Sequence, residues 1–264
     1  MNVKSILAVM IQAAQAGGRQ TVRFFGKRFT ERDKAFGDVV TQADLAADEK
    51  IVSLLRRHFP AYNIISEERD EINNGSRYTF VIDPLDGTAN FKINSPLFST
   101  SIALVKDQTI VAGVVYAPVT KETFWAIKNR GAFKNGRRIR VARSVAPNRA
   151  IVGYSQSWKV DRQRGWRAMN QLWHQRFYRV VNQWSPALDL CRLAEGKIHG
   201  LVINGADLHD VAAGKLIARE AGAKILQPWH GHRRNIRDTD TTFIAVTSRP
   251  LAKKLETVSN ILKK

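Results

Sequence analysis

Cysteine is nearly absent from this 264-residue chain, with Cys191 standing alone. One thiol cannot build an internal disulfide framework, and such a chain suits a reducing compartment. Cys191 falls on the apolar face of a helix expected over "PALDLCRLAEG", where a thiol packs as a small hydrophobe. Any run of roughly 20 apolar residues is missing as well, so no segment reads as a membrane-spanning helix. The opening "MNVKSILAVMIQAAQAGG" has the lysine, apolar run and small residues of a secretory leader. However, Gln12 and Gln15 interrupt it, and Ile6, Val9, Met10 and Ala13 recur at helical spacing. It is expected to be the first helix of a cytoplasmic protein. Internal repeats, low-complexity tracts and evident linkers are also lacking. The chain is therefore expected to form one domain of two intimate halves, roughly residues 1–145 and 146–264. The scarcest commodity is negative charge: 23 Asp and Glu face 42 Lys and Arg, for a net charge of +19.

Hydrophobic residues make up 44% of the chain, enough for a sizeable core. "ADLAADEKIVSLLRRHF" carries a helical stripe of Leu45, Ile51, Leu54 and Leu55. "RYTFVI" reads as a buried strand ending at Asp83, and "STSIALVKDQTIVAGVVYAP" as a hairpin. "ETFWAI" and "RRIRVA" extend the sheet. Beyond "SVAPN", strands and helices alternate up to a terminal helix over "RPLAKKLETVSNILKK". That order indicates a layered α/β or α+β fold.

The acidic residues that do occur are grouped where elements begin or end. They are Asp38 and Asp44 in "GDVVTQAD", Glu67 and Glu68 in "IISEERD", Asp83 and Asp86 in "DPLDGT", and Asp210 in "LHDVAAG". Singly each has a plain reading. Asp44 would N-cap the helix starting at Leu45, Asp210 would favour a helix dipole, and the glutamates would be solvated. Together they suggest a hard divalent cation such as Mg²⁺, which takes carboxylates, waters and substrate phosphate as ligands. A helix starting near Thr88 would aim the Gly87 and Thr88 amides at an anion. Carboxylates beside an anion cradle suggest metal-assisted phosphoryl hydrolysis.

The run "DPLDGTANF", with "GDVVTQAD" and "SEE" before it and "HDVAAG" after it, resembles the inositol monophosphatase-like family of Mg²⁺-dependent, lithium-sensitive phosphatases. "GAFKNGRRIRVA" and "ALDLCRLAEGKIHG" resemble further family segments in the same order. The resemblance covers nearly the whole chain and implies a layered αβαβα sandwich and a homodimer. It implies that Glu67, Asp83 and the Leu85 carbonyl hold one Mg²⁺, and Asp83, Asp86 and Asp210 a second. Asp44 and Thr88 would orient the attacking water, while Asp86, Gly87 and Thr88 contact the phosphate.

Inositol 1-phosphate is the leading substrate so implied. Fructose 1,6-bisphosphate, histidinol phosphate and 3′-phosphoadenosine 5′-phosphate are the alternatives. Three positions depart from the family pattern: His209 replaces a Trp, Trp184 a Gly, and Ile203 a substrate-contacting Glu. An apolar Ile203 would leave polyol hydroxyls without an acceptor, and Asn204 and Asp207 are the expected substitutes.

Two other features compete for a role. "PWHGHRR" sets His230 and His232 two apart, which reads as a polar loop before a metal site. "KNRGAFKNGRRIR" holds no acid, and "WKVDRQRGWRAMNQLWHQRFYR" interleaves aromatics with arginines, as single-strand nucleic-acid binders do. Trp166, Met169 and Trp173 lie at helical spacing, so part of that set is expected in the core. A basic nucleic-acid-binding protein is the reading of a different class, with nucleic acid expected as at most a weak, non-specific partner beside a small phosphorylated metabolite.

The charge generates a test. Weak, sequence-independent binding to duplex DNA is expected at low salt, with a log–log salt slope of about −0.9 per phosphate neutralised. It should largely vanish near 0.15 M salt, where the Debye length is about 8 Å. Tight, sequence-dependent binding in a fluorescence titration at that salt would make nucleic acid a principal ligand.

Overall fold

The computed structural model describes residues 3–35, 38–143, 145–227 and 238–262. His230 and His232 lie outside the described residues. The chain begins with α1 (Val3–Phe24), the hairpin β1 (Glu31–Ala35) and β2 (Asp38–Thr41), and α2 (Gln42–His58). Next come β3 (Asn63–Ser66), β4 (Arg69–Ile72), β5 (Tyr78–Asp86), α3 (Thr88–Lys92), β6 (Ser99–Lys106) and β7 (Thr109–Ala117). The first sheet is completed by β8 (Glu122–Ile127), β9 (Ala132–Lys134) and β10 (Arg137–Ile139). The later part holds β11 (Ile151–Gln156), α4 (Arg162–His174), β12 (Arg179–Val181), α5 (Pro186–Ala194) and β13 (Gly200–Asn204). It ends with α6 (Leu208–Glu220), β14 (Lys224–Leu226), β15 (Phe243–Val246) and α7 (Arg249–Leu262). The β1–β2 hairpin and the strands β3 and β4 are elements that sequence reading did not anticipate; each strand is only four or five residues long, too short to show the apolar alternation that marks a half-buried strand.

An eight-stranded sheet of order β10-β9-β8-β7-β6-β5-β3-β4 faces a five-stranded sheet of order β12-β11-β13-β15-β14. Four apolar clusters set the layers. Ile6, Met10, Ile51 and Leu55 of α1 and α2 pack on Phe80, Ile82, Ile102 and Val114 of the larger sheet. On its other face, Val81, Ala103, Val115 and Phe124 meet Leu188 and Cys191 of α5 and Ala213 and Leu216 of α6. The far sides of α5 and α6 present Leu190, Leu193 and Val211 to Leu201, Ile203 and Phe243 of the smaller sheet. The outer face of that sheet is closed by Ala168 and Leu172 of α4 and Leu251 and Leu255 of α7. The layered αβαβα order is therefore observed.

Alternation along each strand does this work, because successive side chains leave a strand on opposite faces. Val81 turns to α5 and α6 while Phe80 and Ile82 turn to α1 and α2. α6 lies so close to β7 that a Cβ on Gly113 would meet the Ala213 backbone at 2.9 Å. That proximity brings Asp210, in the first turn of α6, to the sheet that ends in Asp83.

One local expectation is corrected and a second holds only for Met169. The N-cap of α2 is Thr41, with Asp44 at the third helical position of a capping box, so Asp44 is inside the helix instead of capping it. In α4 the core-facing residues are Gly165, Ala168 and Leu172, while Trp166 and Trp173 are exposed and Met169 is partly buried. Cys191 is fully buried, as expected. Among the described residues, no helix is long and apolar enough to cross a membrane.

Candidate active site

β5 builds the site by breaking its own rhythm. On a regular strand, residues three apart face opposite sides. Here Asp83 pairs with Ser101 and Asp86 with Ser99, so three steps on β5 match two on β6. The surplus residue is a bulge, the kind of place where a strand tolerates proline, and Pro84 occupies it. Asp83 and Asp86 consequently line the same cavity. The parallel pairing of β3 with β5 sets Ser66 against Ile82, and the Glu67 amide donates to the Ile82 carbonyl at 3.2 Å. Glu67 thus arrives beside Asp83. Asp48 of α2 steadies this end of β3, accepting from Ser66 Oγ at 2.6 Å and from Arg69 Nε at 2.6 Å.

The carboxylates are held by specific donors. Asp83 Oδ1 accepts from the Leu85 amide at 3.0 Å. Asp86 Oδ2 accepts from Ser99 Oγ at 2.9 Å and from Ser185 Oγ. Asp210 Oδ2 accepts from the Asp207 amide at 2.8 Å, closing a capping box at the start of α6. Asp44 Oδ2 accepts from the Thr41 amide at 2.8 Å, and Asp44 Oδ1 lies 3.3 Å from Thr88 Oγ1. Thr88 Oγ1 is also 3.1 Å from the Leu85 carbonyl. Gly87, at φ +93°, precedes α3 in the left-handed region open to glycine.

These groups repel one another. Burial, and then the charges of Glu67, Asp86, Asp210 and Asp44, push the Asp83 carboxyl well above the usual range. Asp86 is raised to about 7 by burial, against the Ser185 hydrogen bond, with the Asp210 charge adding to the rise. Asp210 is raised to about 6 by burial, against the neighbouring His209. Asp44 is likewise raised to about 6 by burial, against its Thr41 hydrogen bonds. The described residues lining the cavity include Glu67, Asp83, Leu85, Asp86, Gly87, Thr88, Asp207, His209 and Asp210, with no lysine or arginine among them.

A divalent cation fits this donor set. Every ligand group is a hard oxygen, which is what Mg²⁺ prefers, and the basic side chain among the described lining residues is His209, 3.2 Å from Asp210 and 3.9 Å from Glu67. A tighter grouping also exists: Asp207, His209 and Asp210 place ligand atoms within 4.8 Å of one another. That grouping is the weaker candidate. Asp207 is already bound by Lys159 Nζ at 2.6 Å, and His209 Nε2 lies 3.2 Å from Asp210 Oδ1.

The structure thus brings together Asp44, Glu67, Asp83, Leu85, Asp86, Gly87, Thr88 and Asp210. Asp207 sits at the rim. Asn204 and Ile203 are elsewhere. The Asn204 amide donates to Tyr154 Oη at 3.1 Å, and neither residue is among those lining the cavity. Ile203 packs between the sheets with Leu190 and Leu193, so the expectation that it faces a polyol is overturned by strand alternation. Sequence reading missed Ser99 and Ser185, whose hydroxyls fix Asp86; serines distant in sequence carry no mark of such a contact until the register is known.

Comparisons with known proteins agree with this geometry. Residues 2–261 match the model of the inositol monophosphatase family. A fructose-1,6-bisphosphatase/inositol-1-monophosphatase of Aquifex aeolicus is 34% identical over 226 residues, 84% of this chain and 85% of that protein. The Nus factor SuhB of Pasteurella multocida is 36% identical over 233 residues, 86% of each chain. The crystal structure of the extragenic suppressor protein suhB from Bartonella henselae superposes with a TM-score of 0.88 at 31% identity, over 98% of this chain and 99% of that one.

The raised carboxyl pKa values carry a sign. Groups that protonate more readily folded than unfolded destabilise the fold once ionised. Metal-free protein should therefore lose stability as pH rises from about 4 to about 7. Asp83→Asn should raise the metal-free Tm at about pH 8 while lowering kcat by about 10²-fold or more. A lower metal-free Tm in that variant, measured by calorimetry with a chelator, would show that the carboxylates do not strain the fold.

Proposed function

This chain belongs to the inositol monophosphatase family, and on that premise we propose that it hydrolyses a small phosphate monoester with Mg²⁺. Inositol 1-phosphate is the first candidate substrate. Fructose 1,6-bisphosphate, histidinol phosphate and 3′-phosphoadenosine 5′-phosphate remain the alternatives, in keeping with the double name of the Aquifex relative. One observation carries the reading: four like-charged carboxylates, Glu67, Asp83, Asp86 and Asp210, line one cavity beside the Thr88–Asp44 pair. The proposal includes lithium sensitivity, assembly as a homodimer and a cytoplasmic location.

Glu67, Asp83, the Leu85 carbonyl, Asp86 and Asp210 would hold the divalent ions, which when bound polarise the phosphoryl oxygens and make water a better nucleophile. Thr88 and Asp44 handle the proton. Thr88 Oγ1 donates toward Asp44 Oδ1 or the Leu85 carbonyl, which leaves its lone pairs to accept from water. Asp44, raised only to about 6, is ionised near neutral pH and takes the proton that Thr88 passes on. Gly87 and Thr88 line the end of the cavity where the phosphate would rest. The leaving oxygen gains a proton from solvent.

A second role, loose contact with nucleic acid, is favoured by α4. Its solvent side carries Trp166 and Trp173 together with Arg162 and Arg167, the combination that stacks bases and meets phosphates.

If Thr88 positions water and holds no metal, Thr88→Ala should lower kcat by about 10²-fold or more and leave the Mg²⁺ dependence of turnover nearly unchanged. Phosphate release from inositol 1-phosphate across a Mg²⁺ series measures both. A variant whose chief defect is a raised Mg²⁺ requirement would move Thr88 into the metal site and remove the proton relay.

A further inference from the structure

The cavity holds two residues that the chemistry above does not use, Trp158 and Trp184. They come from different parts of the fold. Trp158 follows the C-terminal end of β11, and Trp184 precedes α5. Both are large, apolar and about half exposed, at 46% and 53%. Two half-exposed indoles brought to one cavity wall form an apolar surface of the kind that marks ligand-binding grooves.

Trp184 is also strained. Its φ is +54°, in the left-handed region that a bulky side chain rarely adopts. The strain is enforced from both sides. The Gln183 carbonyl accepts from Asn90 Nδ2 at 2.5 Å, and Ser185 Oγ donates to Asp86. A Cβ on Gly87 would meet Ser185 Cβ at 3.2 Å and the Trp184 carbonyl at 3.3 Å. The segment carrying Trp184 is thus fastened to the loop that carries the carboxylates. Backbone strain held in place by its surroundings collects at ligand sites.

Polar groups around the pair narrow the choice of ligand. Apart from the four carboxylates assigned to the metal, the acidic side chain among the described lining residues is Asp207. Asp207 is held by Lys159 Nζ at 2.6 Å and also caps α6. A bare polyol would leave the two indole rings uncovered, with Asp207 already paired. A flat ring would meet surfaces made for it, since stacking needs a π-face and no hydrogen-bond pattern. The loop that presents Trp158 also brings Ser155, Gln156 and Ser157 to the cavity wall, which suits a hydroxylated sugar beside the ring. A cavity of about 390 Å³ is ample for more than a phosphate.

We propose that Trp158 and Trp184 form an aromatic subsite that selects nucleoside monophosphates, stacking the base while the phosphate lies at Gly87 and Thr88. This rests on the phosphatase reading and specifies its leaving group. One water is consumed: its oxygen bonds to phosphorus, the bond from phosphorus to the nucleoside oxygen breaks, and that oxygen takes a proton. The products are nucleoside and orthophosphate.

The test compares kcat/KM for adenosine 5′-monophosphate with that for ribose 5-phosphate, which is the same ester without its base. With Mg²⁺, the wild type should prefer the nucleotide by about tenfold or more. Trp158→Ala and Trp184→Gly should each cut that ratio several-fold, and Trp184→Phe should keep most of it. Trp184→Gly suits the left-handed backbone and should fold. A wild-type ratio near one, or variants that lower both substrates together, would overturn the subsite. So would a Trp184→Gly protein that changes oligomeric state at an unchanged ratio. If neither ester turns over, phosphate release from inositol 1-phosphate decides the phosphatase reading separately. Calorimetric binding of adenosine 5′-monophosphate to the same proteins then decides the subsite: weaker binding in the variants supports it, and equal binding refutes it.

Discussion

Like charge crowded into a buried place is the constraint on which this molecule turns. Asp83 and Asp86 are almost fully removed from water and Asp210 is partly buried beside them; Asp86 and Asp210 raise the pKa of Asp83, and Asp210 raises that of Asp86. A fold does not assemble such a cluster by drift, because each ionised carboxylate there opposes folding. The surroundings show what is required to hold it. Ser99, Ser185 and the Leu85 and Asp207 amides each spend a hydrogen bond on one carboxylate. A bulge in β5 turns two aspartates to one side, and α6 is pressed against β7 so that Asp210 can join them. The two sheets and the helices between them supply the rigidity that keeps the repelling groups in place.

Much of this was legible in the sequence because it is local. "DPLDGT" places two acids, a proline and a glycine within six residues, so the bulge at the end of β5 that brings both acids to one cavity is marked locally. Apolar periodicity found most helices and strands for the same reason. What escaped was set by register. Ser99 and Ser185 reach Asp86 from positions far apart in sequence, through the pairing of β6 and the start of α5. Ile203 occupies the expected strand but turns to the core side of it, because Asn204 takes the other face. Asp44 was read as a cap since it is the acid nearest the helix, although Thr41 performs that role and Asp44 completes the box. The tryptophans of α4 follow helical spacing, yet glycine, alanine and leucine form the face that packs. Spacing identified a stripe there without telling which stripe was buried.

The positive charge stands apart from the reaction chemistry. The described residues lining the cavity are acidic, polar or apolar, so the excess of lysine and arginine lies outside it. A field of that sign draws phosphorylated molecules toward the protein over a Debye length or so. Selection among them then falls to the cavity wall, where Trp158 and Trp184 are the residues with least to do in catalysis and most surface to offer. Attraction, selection and hydrolysis would accordingly be divided among three separate sets of side chains.

On the proposed function, the buried carboxylates share divalent cations, with Asp83 common to two of them. Anomalous diffraction from crystals soaked in Mn²⁺ tests this most directly. Two peaks are expected, both within about 2.0–2.6 Å of an Asp83 oxygen, one also ligated by Glu67 and the other by Asp86 and Asp210. A metal confined to Asp207, His209 and Asp210, with Asp83 left unligated, would contradict it.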